Sequence, residues 1–303
     1  MGQPTGSTSP ATDATSLTVQ AANDHLIQTV TEQISFGTFN PNDHQVLQRL
    51  VEGLGDPRGL VRLEFAEALG DIGELATPFL VTALRHHDNV VVRRAAAKTL
   101  TIIADPEAVP PLLEAFLNDE DIVVRGSSAG ALAHTGETAA PFLLDILASP
   151  DHPQEIKGHA AWALAFMGAE AETHLYRALN SDSLDVRCAV ISALGHVAQE
   201  KSDERSCQLL VSALTDPEAL IRAEAAAALA QINYPSSVPH LILALRDQDL
   251  DVRKAAISSL GKIGDPRAMD TLQASLDDEL DVIRTLAKLA INQIERQANE
   301  DDW

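Results

Sequence analysis

Cysteine is scarce in this chain: there are two cysteines in 303 residues, Cys188 and Cys207. Small secreted domains that depend on disulfides are much richer in cysteine, and these two lie in separate predicted helices. The sequence therefore offers no disulfide framework, and we expect the protein to work in a reducing compartment.

Positive charge is also in short supply. The chain has 22 Lys and Arg residues against 44 Asp and Glu residues, which gives a formal net charge of −22 at pH 7. A protein that binds nucleic acid needs surplus cations to displace the counterions of the phosphates, and an anionic membrane surface repels an acidic chain. We therefore expect neither nucleic acid nor an anionic lipid surface to be a partner.

Long apolar runs are missing as well. No stretch approaches the roughly 20 apolar residues that a membrane-spanning helix needs. The N-terminal sequence MGQPTGSTSPATDATSLT lacks the basic start and apolar core of a signal peptide. These absences predict a cytoplasmic protein without membrane insertion.

A repeat dominates what is present. Eight basic residues, which we call the ladder cations, are separated by 31, 32, 32, 30, 35, 31 and 31 positions: Arg62, Arg93, Arg125, Lys157, Arg187, Arg222, Arg253 and Arg284. An apolar run with helical spacing lies on each side of each cation, so each unit is predicted to be a helix pair. Stacked pairs of this kind predict an all-α fold, a right-handed α-solenoid of about eight repeats.

The turns carry aspartate and the first helices carry proline. The turn residues Asp56, Asp88, Asp119, Asp182, Asp216, Asp247 and Asp278 are predicted to cap the second helix and to pair with the ladder cation that follows. Proline is tolerated in the first turn of a helix, which is where the first helices are predicted to place Pro78, Pro110, Pro141, Pro239 and Pro266.

The repeat sets the predicted domain boundaries. Residues 1–22, rich in Ser, Thr, Gly and Pro, are predicted to be a disordered leader. Residues 23–41 are predicted to form a capping helix and linker, 42–298 the solenoid, and 299–303 an acidic C-terminal tail.

The repeat units resemble the HEAT-like repeats of the phycobilisome-lyase family. The signature of that family is an Asp turn followed by Val-Arg, Ala-Ala and Ala-Leu-Gly, as in GDPRGLVRLEFAEALGDIG and RDQDLDVRKAAISSLGKIG. The resemblance spans residues 42–295 and implies a relation to the cyanobacterial phycobilin lyases. It implies a bilin as possible cofactor, a phycobiliprotein as possible partner and, if the chain is an enzyme, a lyase-type activity. In HEAT-like folds the second helix lines the concave surface.

Counting from each ladder cation separates core positions from surface positions. Positions three, four, seven and ten cover one arc of the second helix and are predicted to face the core. In two of the units these positions hold Ala96, Ala97, Leu100 and Ile103, and Ala225, Ala226, Leu229 and Ile232. Positions one, five, eight, nine and twelve fall on the opposite arc, where a ligand would be recognised.

The middle repeats differ from the others on this surface. Glycine costs about 0.5–1 kcal/mol relative to alanine within a helix, so Gly126, Gly130 and Gly158 suggest a hollow. Aromatic, imidazole, hydroxyl and thiol groups surround it, and the predicted binding residues are Ser127, Gly130, His134, His159, Trp162, Phe166, Cys188, Ser192 and His196. The alternative is that Trp162 and Phe166 fill an irregularity in the core. The segment KGHAAWALAFMG also resembles the aromatic Ala-Ala-Trp repeat of the phycobilin lyases.

The sequence contains none of several common catalytic or metal-binding motifs. No nucleophile elbow, Gly-rich phosphate loop, Cys-x-x-Cys or His-Glu dipeptide occurs in the sequence. We therefore predict no catalytic residues, no intrinsic metal site and no intrinsic cofactor.

Three functions stay open at this point. The first is a non-catalytic scaffold that holds a protein partner on the concave face, as an accessory, assembly or chaperone factor in a photosynthetic bacterium. The second, implied by the resemblance, is a phycobilin lyase or a factor that chaperones or detaches a phycobilisome chromophore. The third is a partner in iron–sulfur or metal-cofactor delivery.

Overall fold

The computed structural model describes residues 10–201 and 203–300 of the chain. Every regular element in these residues is helical, as the repeat predicts, and short 3₁₀ turns join several of the helices. The α-helices are α1 Pro10–Ser35, α2 His44–Gly53, α3 Gly59–Ile72, α4 Thr77–His86, α5 Val90–Ile103, α6 Val109–Asn118, α7 Ile122–His134, α8 Ala140–Ala148, α9 Gln154–Met167, α10 Glu172–Ala178, α11 Leu184–Lys201, α12 Glu204–Ala213, α13 Ala219–Gln231, α14 Val238–Ala244, α15 Leu250–Ile263, α16 Met269–Ala274 and α17 Asp281–Glu300. None of these helices is long and apolar enough to cross a membrane.

The helices after α1 form eight consecutive pairs, from α2 with α3 to α16 with α17, and each odd-numbered helix carries one ladder cation. The prediction of an all-α solenoid built from about eight helix pairs is confirmed. The pairs are divided between two compact units, Met1–Ala139 and Ala140–Trp303. Unit 1 holds α1 and three pairs, and unit 2 holds five pairs.

The core of each repeat lies where the period predicts. In α5, Ala96, Ala97 and Leu100 are fully buried, and Ala225, Ala226 and Leu229 are fully buried in α13. The position-ten residues Ile103 and Ile232 are half-buried at the helix ends. Alanine at positions three and four allows neighbouring helices to approach closely, which is how the second helices pack along each unit.

Position eight differs from the prediction. It was predicted to lie on the surface, but Ala133, Gly195, Ala230 and Gly261 are buried there. A Cβ atom added to Gly261 would lie 2.7 Å from the Cα atom of Ala290, and one added to Gly195 would lie 3.3 Å from the Cβ atom of Ala228. At Gly195 and Gly261, position eight is therefore a point of contact between one second helix and the next, with room for a small residue only.

The ladder cations close the turns. Seven of the eight donate from Nη1 to the backbone carbonyl six residues upstream, over 2.5–3.1 Å, and Lys157 is the exception. The acceptor carbonyl belongs to the residue at which the first helix has ended, so its oxygen has no partner within that helix. Each of these bonds therefore joins the two helices of one repeat.

The prediction that the carboxylate of each turn aspartate pairs with the following arginine is wrong. Arg125 and Arg253 donate to the backbone carbonyls of Asp119 and Asp247. The carboxylates instead accept from the ladder cation of the preceding repeat: Arg93 Nε lies 3.0 Å from Asp119 Oδ2, and Arg222 Nε lies 2.7 Å from Asp247 Oδ2. One aspartate thus closes its own turn through its carbonyl and joins the preceding repeat through its carboxylate.

The helix caps lie one or two residues after the predicted aspartates: Asn89 follows Asp88 by one residue, and Asp121 and Asp249 follow Asp119 and Asp247 by two. The turn aspartates accept from the N–H two residues later, as Asp119 does from Asp121 and Asp247 from Asp249. The N-cap of the second helix is that later residue: Asp121 accepts from Val123 and Val124, and Asp249 accepts from Asp251 and Val252. The carboxylates of Asp119 and Asp247 are used within the turn, so the capping bonds are made by the aspartates that follow.

The N-terminal helix α1 begins at Pro10, earlier than the capping helix predicted to start at residue 23. Proline suits the first turn of a helix, and residues 11–22 contain neither proline nor glycine to stop it. Leu26, Ile27 and Val30 bury the inner face of α1. Residues 1–9 of the predicted leader and residues 301–303 of the predicted tail lie outside the described residues; α17 itself continues to Glu300.

The Arg222–Asp247 bond between repeats makes the first prediction. We expect Arg222→Met to lower the free energy of unfolding by about 3 kcal/mol, because it leaves a largely buried carboxylate and a turn carbonyl without their donor. Urea denaturation at pH 7 measures this. Arg246→Met, at an exposed arginine of the same unit, should change stability by less than about 0.5 kcal/mol. Equal stability of the wild type and Arg222→Met would contradict the role of the pair.

The same pair predicts a pH dependence. Hydrogen bonds from Arg222 hold the pKa of the Asp247 carboxyl below its usual value. The stabilisation is therefore complete above the ordinary aspartate pKa of about 3.9, and it is lost as the pH falls towards the lower pKa of the folded state. We expect the stability difference between the wild type and Arg222→Met to shrink between pH 4 and pH 2. A difference that stays constant over this range would show that the aspartate does not contribute.

Candidate functional site

One face of the second helices is exposed along each unit, and we call it the second-helix face. It consists of positions one, five and nine after each ladder cation. In unit 1 these positions belong to α3, α5 and α7, and in unit 2 they belong to α9, α11, α13, α15 and α17. Core positions keep the opposite side of each helix buried, so this face is where the repeats present side chains to a ligand or partner.

In unit 1 the second-helix face changes in chemistry from helix to helix. On α3 it is acidic, with Glu67 and Asp71 exposed. On α5 it carries Arg94 and Lys98, and Arg94 donates to the carboxylate of Asp121 at the start of α7. On α7 it presents Gly126, Gly130 and the exposed His134.

The glycines predicted to open a hollow do lie in open space. A Cβ atom added to Gly126, Gly130 or Gly158 would meet no heavy atom within 4 Å outside its own helix. Packing therefore does not explain these glycines, in contrast to Gly261, where α17 occupies the space. The backbone of α7 is uncovered at two consecutive surface positions, and that of α9 at one.

Two aromatic side chains stand on α9 in unit 2. Trp162 and Phe166 are each 50% exposed, and their ring centroids lie 5.6 Å apart with an angle of 34° between the planes. The alternative that they fill a gap in the core is therefore wrong. They form a continuous apolar surface on two successive turns of one helix, and we call it the aromatic pair.

The predicted histidines are held by their own helices. Nδ1 of His134 lies 2.9 Å from the carbonyl oxygen of Gly130, and Nδ1 of His159 lies 2.9 Å from that of Glu155. Because a carbonyl oxygen only accepts, Nδ1 carries the proton in both rings. His196 is exposed on α11, at the same position nine that His134 occupies on α7.

Cys188 is half-buried at position one of α11. Burial, together with the nearby carboxylates of Glu224 and Asp185, raises the pKa of its thiol to about 11. Only the thiolate is a strong nucleophile or metal ligand, so this environment disfavours the reactive form of the side chain. Within residues 10–201 and 203–300, no group of three or more His, Cys, Asp and Glu side chains is arranged to hold a metal ion.

The predicted site residues fall into two groups. Ser127, Gly130 and His134 share α7 in unit 1. His159, Trp162 and Phe166 on α9, and Cys188, Ser192 and His196 on α11, belong to two helices that pack side by side in unit 2. The second group is rich in neutral polar and aromatic side chains, and none of its six residues carries a fixed charge.

A groove that the sequence analysis did not predict lies between α1 and α3 in unit 1. It has a volume of about 620 Å³, an apolar floor of Ile27, Val61 and Ala68, and an acidic rim of Asp24, Glu32, Glu64, Glu67 and Asp71. Only Glu67 and Asp71 lie at surface positions of the repeat. Helix α1 is not part of the repeat, so the repeat period does not predict which residues of α1 lie beside α3.

The chain matches known proteins over most of its length. The sequence pattern of the family of HEAT repeats matches residues 45–133, 140–219 and 207–292. Over 201 residues the chain is 39% identical to the Bilin biosynthesis protein MpeU of Synechococcus sp. (strain WH8020), an alignment that covers 66% of this chain and 68% of that protein.

Solved structures agree on the fold. The karyopherin Kap121p, bound to the extreme C-terminus of the protein phosphatase Cdc14p, matches 90% of this chain with a TM-score of 0.57 at 13% identity. A mutant of Kap121p matches equally well at 14% identity, and the chain covers 36% of the karyopherin in each case. At these identities the likeness concerns the architecture of stacked helices alone.

The open glycines make a prediction about stability. We expect Gly126→Ala and Gly130→Ala each to raise the free energy of unfolding by about 0.5–1 kcal/mol, because alanine favours the helix and its Cβ has room. Gly261→Ala is the contrast, since its Cβ would meet the backbone of Ala290, and it should destabilise the protein. Urea denaturation of the three variants checks this. Destabilisation by the α7 substitutions would show that these positions are packed.

Proposed function

This chain belongs to the HEAT-repeat family, and we propose that it handles a bilin, holding the open-chain tetrapyrrole on the aromatic pair of unit 2. The observation that carries the proposal is the 39% identity to a bilin biosynthesis protein, in an alignment that covers 66% of this chain and 68% of that protein. The aromatic pair supplies a surface suited to such a ligand. A linear tetrapyrrole is flat, conjugated and largely apolar, and it stacks well on indole and phenyl rings.

The side chains around the aromatic pair suit the polar edge of the same ligand. Ser192 and His196 are exposed on α11, the helix packed beside α9. A hydroxyl group and an imidazole ring both donate and accept hydrogen bonds, and the edge of a bilin carries N–H groups, carbonyl oxygens and carboxylates. An apolar surface with a few polar groups beside it is the usual character of a small-molecule site.

The protonated state of Cys188 limits what the protein does with the pigment. A bilin becomes covalently attached when a cysteine thiolate adds to it, and the pKa of Cys188, about 11, keeps its thiol protonated at neutral pH. The proposed role is therefore to hold the pigment without a covalent bond and to present it to, or take it from, a cysteine of an acceptor protein. A phycobiliprotein is the partner that this role calls for.

A second candidate is a scaffold that binds a protein partner and no pigment. The half-exposure of Trp162 favours it, because exposed aromatic side chains are frequent anchors of protein interfaces. The two candidates differ in what first occupies the aromatic pair, so they can be separated by direct measurement.

Pigment binding tests the proposal. Purified protein titrated with a linear tetrapyrrole should change the absorption spectrum of the pigment, with a defined Kd. Trp162→Ala and Phe166→Ala should each weaken binding by about 2 kcal/mol, or roughly 30-fold, as expected for a central aromatic contact. Leu289→Ala, at a 54% exposed apolar residue on α17, is the matched control and should bind as the wild type does.

The same titration separates the candidates. Absence of any spectral change in the wild type would contradict bilin handling. Normal binding by both aromatic variants would place the pigment elsewhere. A protein partner that binds without pigment, and is lost with Trp162→Ala, would favour the scaffold.

The thiol makes a separate prediction. Cys188→Ser should bind the pigment as tightly as the wild type does, because the protonated thiol forms no bond to it. The wild type with pigment, denatured and examined by mass spectrometry, should show the mass of the unmodified chain. A covalent adduct that disappears in Cys188→Ser would contradict this assignment.

A further inference from the structure

A row of exposed leucines follows one edge of unit 2. Leu184, Leu220, Leu250 and Leu280 lie two to four residues before their ladder cations, at the start of α11, α13, α15 and α17. They are 36%, 51%, 36% and 39% exposed, and we call them the leucine row. These four helices pack consecutively, so the leucines occupy the same end of four neighbouring second helices.

Helix electrostatics do not favour leucine at these positions. The first turn of a helix gains from acidic residues, which interact favourably with its positive end, and leucine gains nothing there. Single exposed apolar residues are normal on any protein surface, but a contiguous apolar strip marks an interaction site. The row is interrupted at α9, which begins with the exposed Gln154 and Glu155.

Exposed carboxylates lie just before three of the four leucines. Asp182 and Glu218 precede Leu184 and Leu220 by two residues, and Glu279 directly precedes Leu280. All three carboxylates are exposed, and the described part of unit 2 offers them no ion pair. At the corresponding position before Leu250 stands the neutral Gln248. Three of the four leucines are therefore preceded, within two residues along the chain, by an exposed carboxylate.

We propose that the leucine row is a docking surface for a protein segment that presents apolar side chains flanked by lysine or arginine. Charge selects this occupant, because a basic segment compensates the three carboxylates while its apolar side chains cover the leucines. A second copy of this chain would bring the same negative edge and be repelled. Second helices that lie about 8–10 Å apart give the row a length of about 25–30 Å, which an amphipathic helix of about 18 residues matches.

The surface is separate from the aromatic pair on α9, and the proposal does not depend on bilin handling. The test uses the full-length protein and a fluorescent 18-residue amphipathic peptide of leucine and lysine as the probe, with binding followed by anisotropy. We expect saturable binding that weakens with added salt, since exposed charges are screened. A serine–lysine peptide of the same charge should bind at least tenfold more weakly, and a leucine–glutamate peptide should not bind.

Matched variants locate the probe. Leu220→Ser with Leu250→Ser should weaken binding of the leucine–lysine peptide at least tenfold, whereas Leu243→Ser with Leu289→Ser, at residues 67% and 54% exposed away from the row, should not. Glu218→Lys with Glu279→Lys should also weaken binding at least tenfold. Glu170→Lys with Glu295→Lys changes the net charge equally at exposed residues elsewhere and should leave binding unchanged.

Three results would overturn the proposal: no binding by the wild type, equal binding of the serine–lysine peptide, or equal loss in the two charge variants. Either of the last two results would mean that the peptide binds through nonspecific electrostatic attraction to an acidic protein. The row variants should bind bilin as the wild type does. Failure of pigment binding in every variant would count against the proposed function and leave the docking surface standing.

Discussion

The structure depends on one hydrogen bond, from a guanidinium group to the backbone carbonyl six residues upstream. This bond occurs in seven of the eight repeats, and it fixes the turn between the two helices of each pair. With the turn fixed, every second helix leaves in the same direction, so positions three, four and seven reach the core and positions one, five and nine reach solvent. The open glycines of α7 are presented by a repeat that contains this bond, whereas the aromatic pair belongs to the repeat of Lys157, which lacks it.

The period of the basic residues was sufficient to predict the fold class, the number of helix pairs and the core positions, because each follows from spacing alone. The partners of the ladder cations were not predictable from spacing. Asp247 offers a carbonyl and a carboxylate at nearly the same distance along the chain, and only the path of the turn decides that Arg253 takes the first and Arg222 the second. The burial of position eight was missed for a similar reason, since the helical angle does not say on which side the next helix will pack.

For the candidate site, the sequence indicated which residues are unusual, and the structure shows how they are presented. Trp162 and Phe166 are exposed as the surface positions predict, and the glycines of α7 face open space. The raised pKa of Cys188 could not be predicted from the sequence. One of the carboxylates that raise it, Glu224, lies on the neighbouring helix α13. The acidic groove beside α1 also lay beyond prediction, since α1 has no place in the repeat.

The positions of the donor and the acceptor of each arginine bond decide how easily the array can be lengthened by duplication of a repeat. The donor and the acceptor of the bond that closes a turn lie within one period, so a duplicated gene segment of one period carries both. The bond of Arg222 to Asp247 requires only an aspartate in the turn of the next repeat, and an exact duplicate of the repeat supplies it. The repeat of α9 is different, since Lys157 reaches to Asp185 in the next repeat. A duplicate of that unit would lack the bond that closes the corner in the other seven repeats, so lengthening by whole repeats should be easier elsewhere in the chain than beside the aromatic pair.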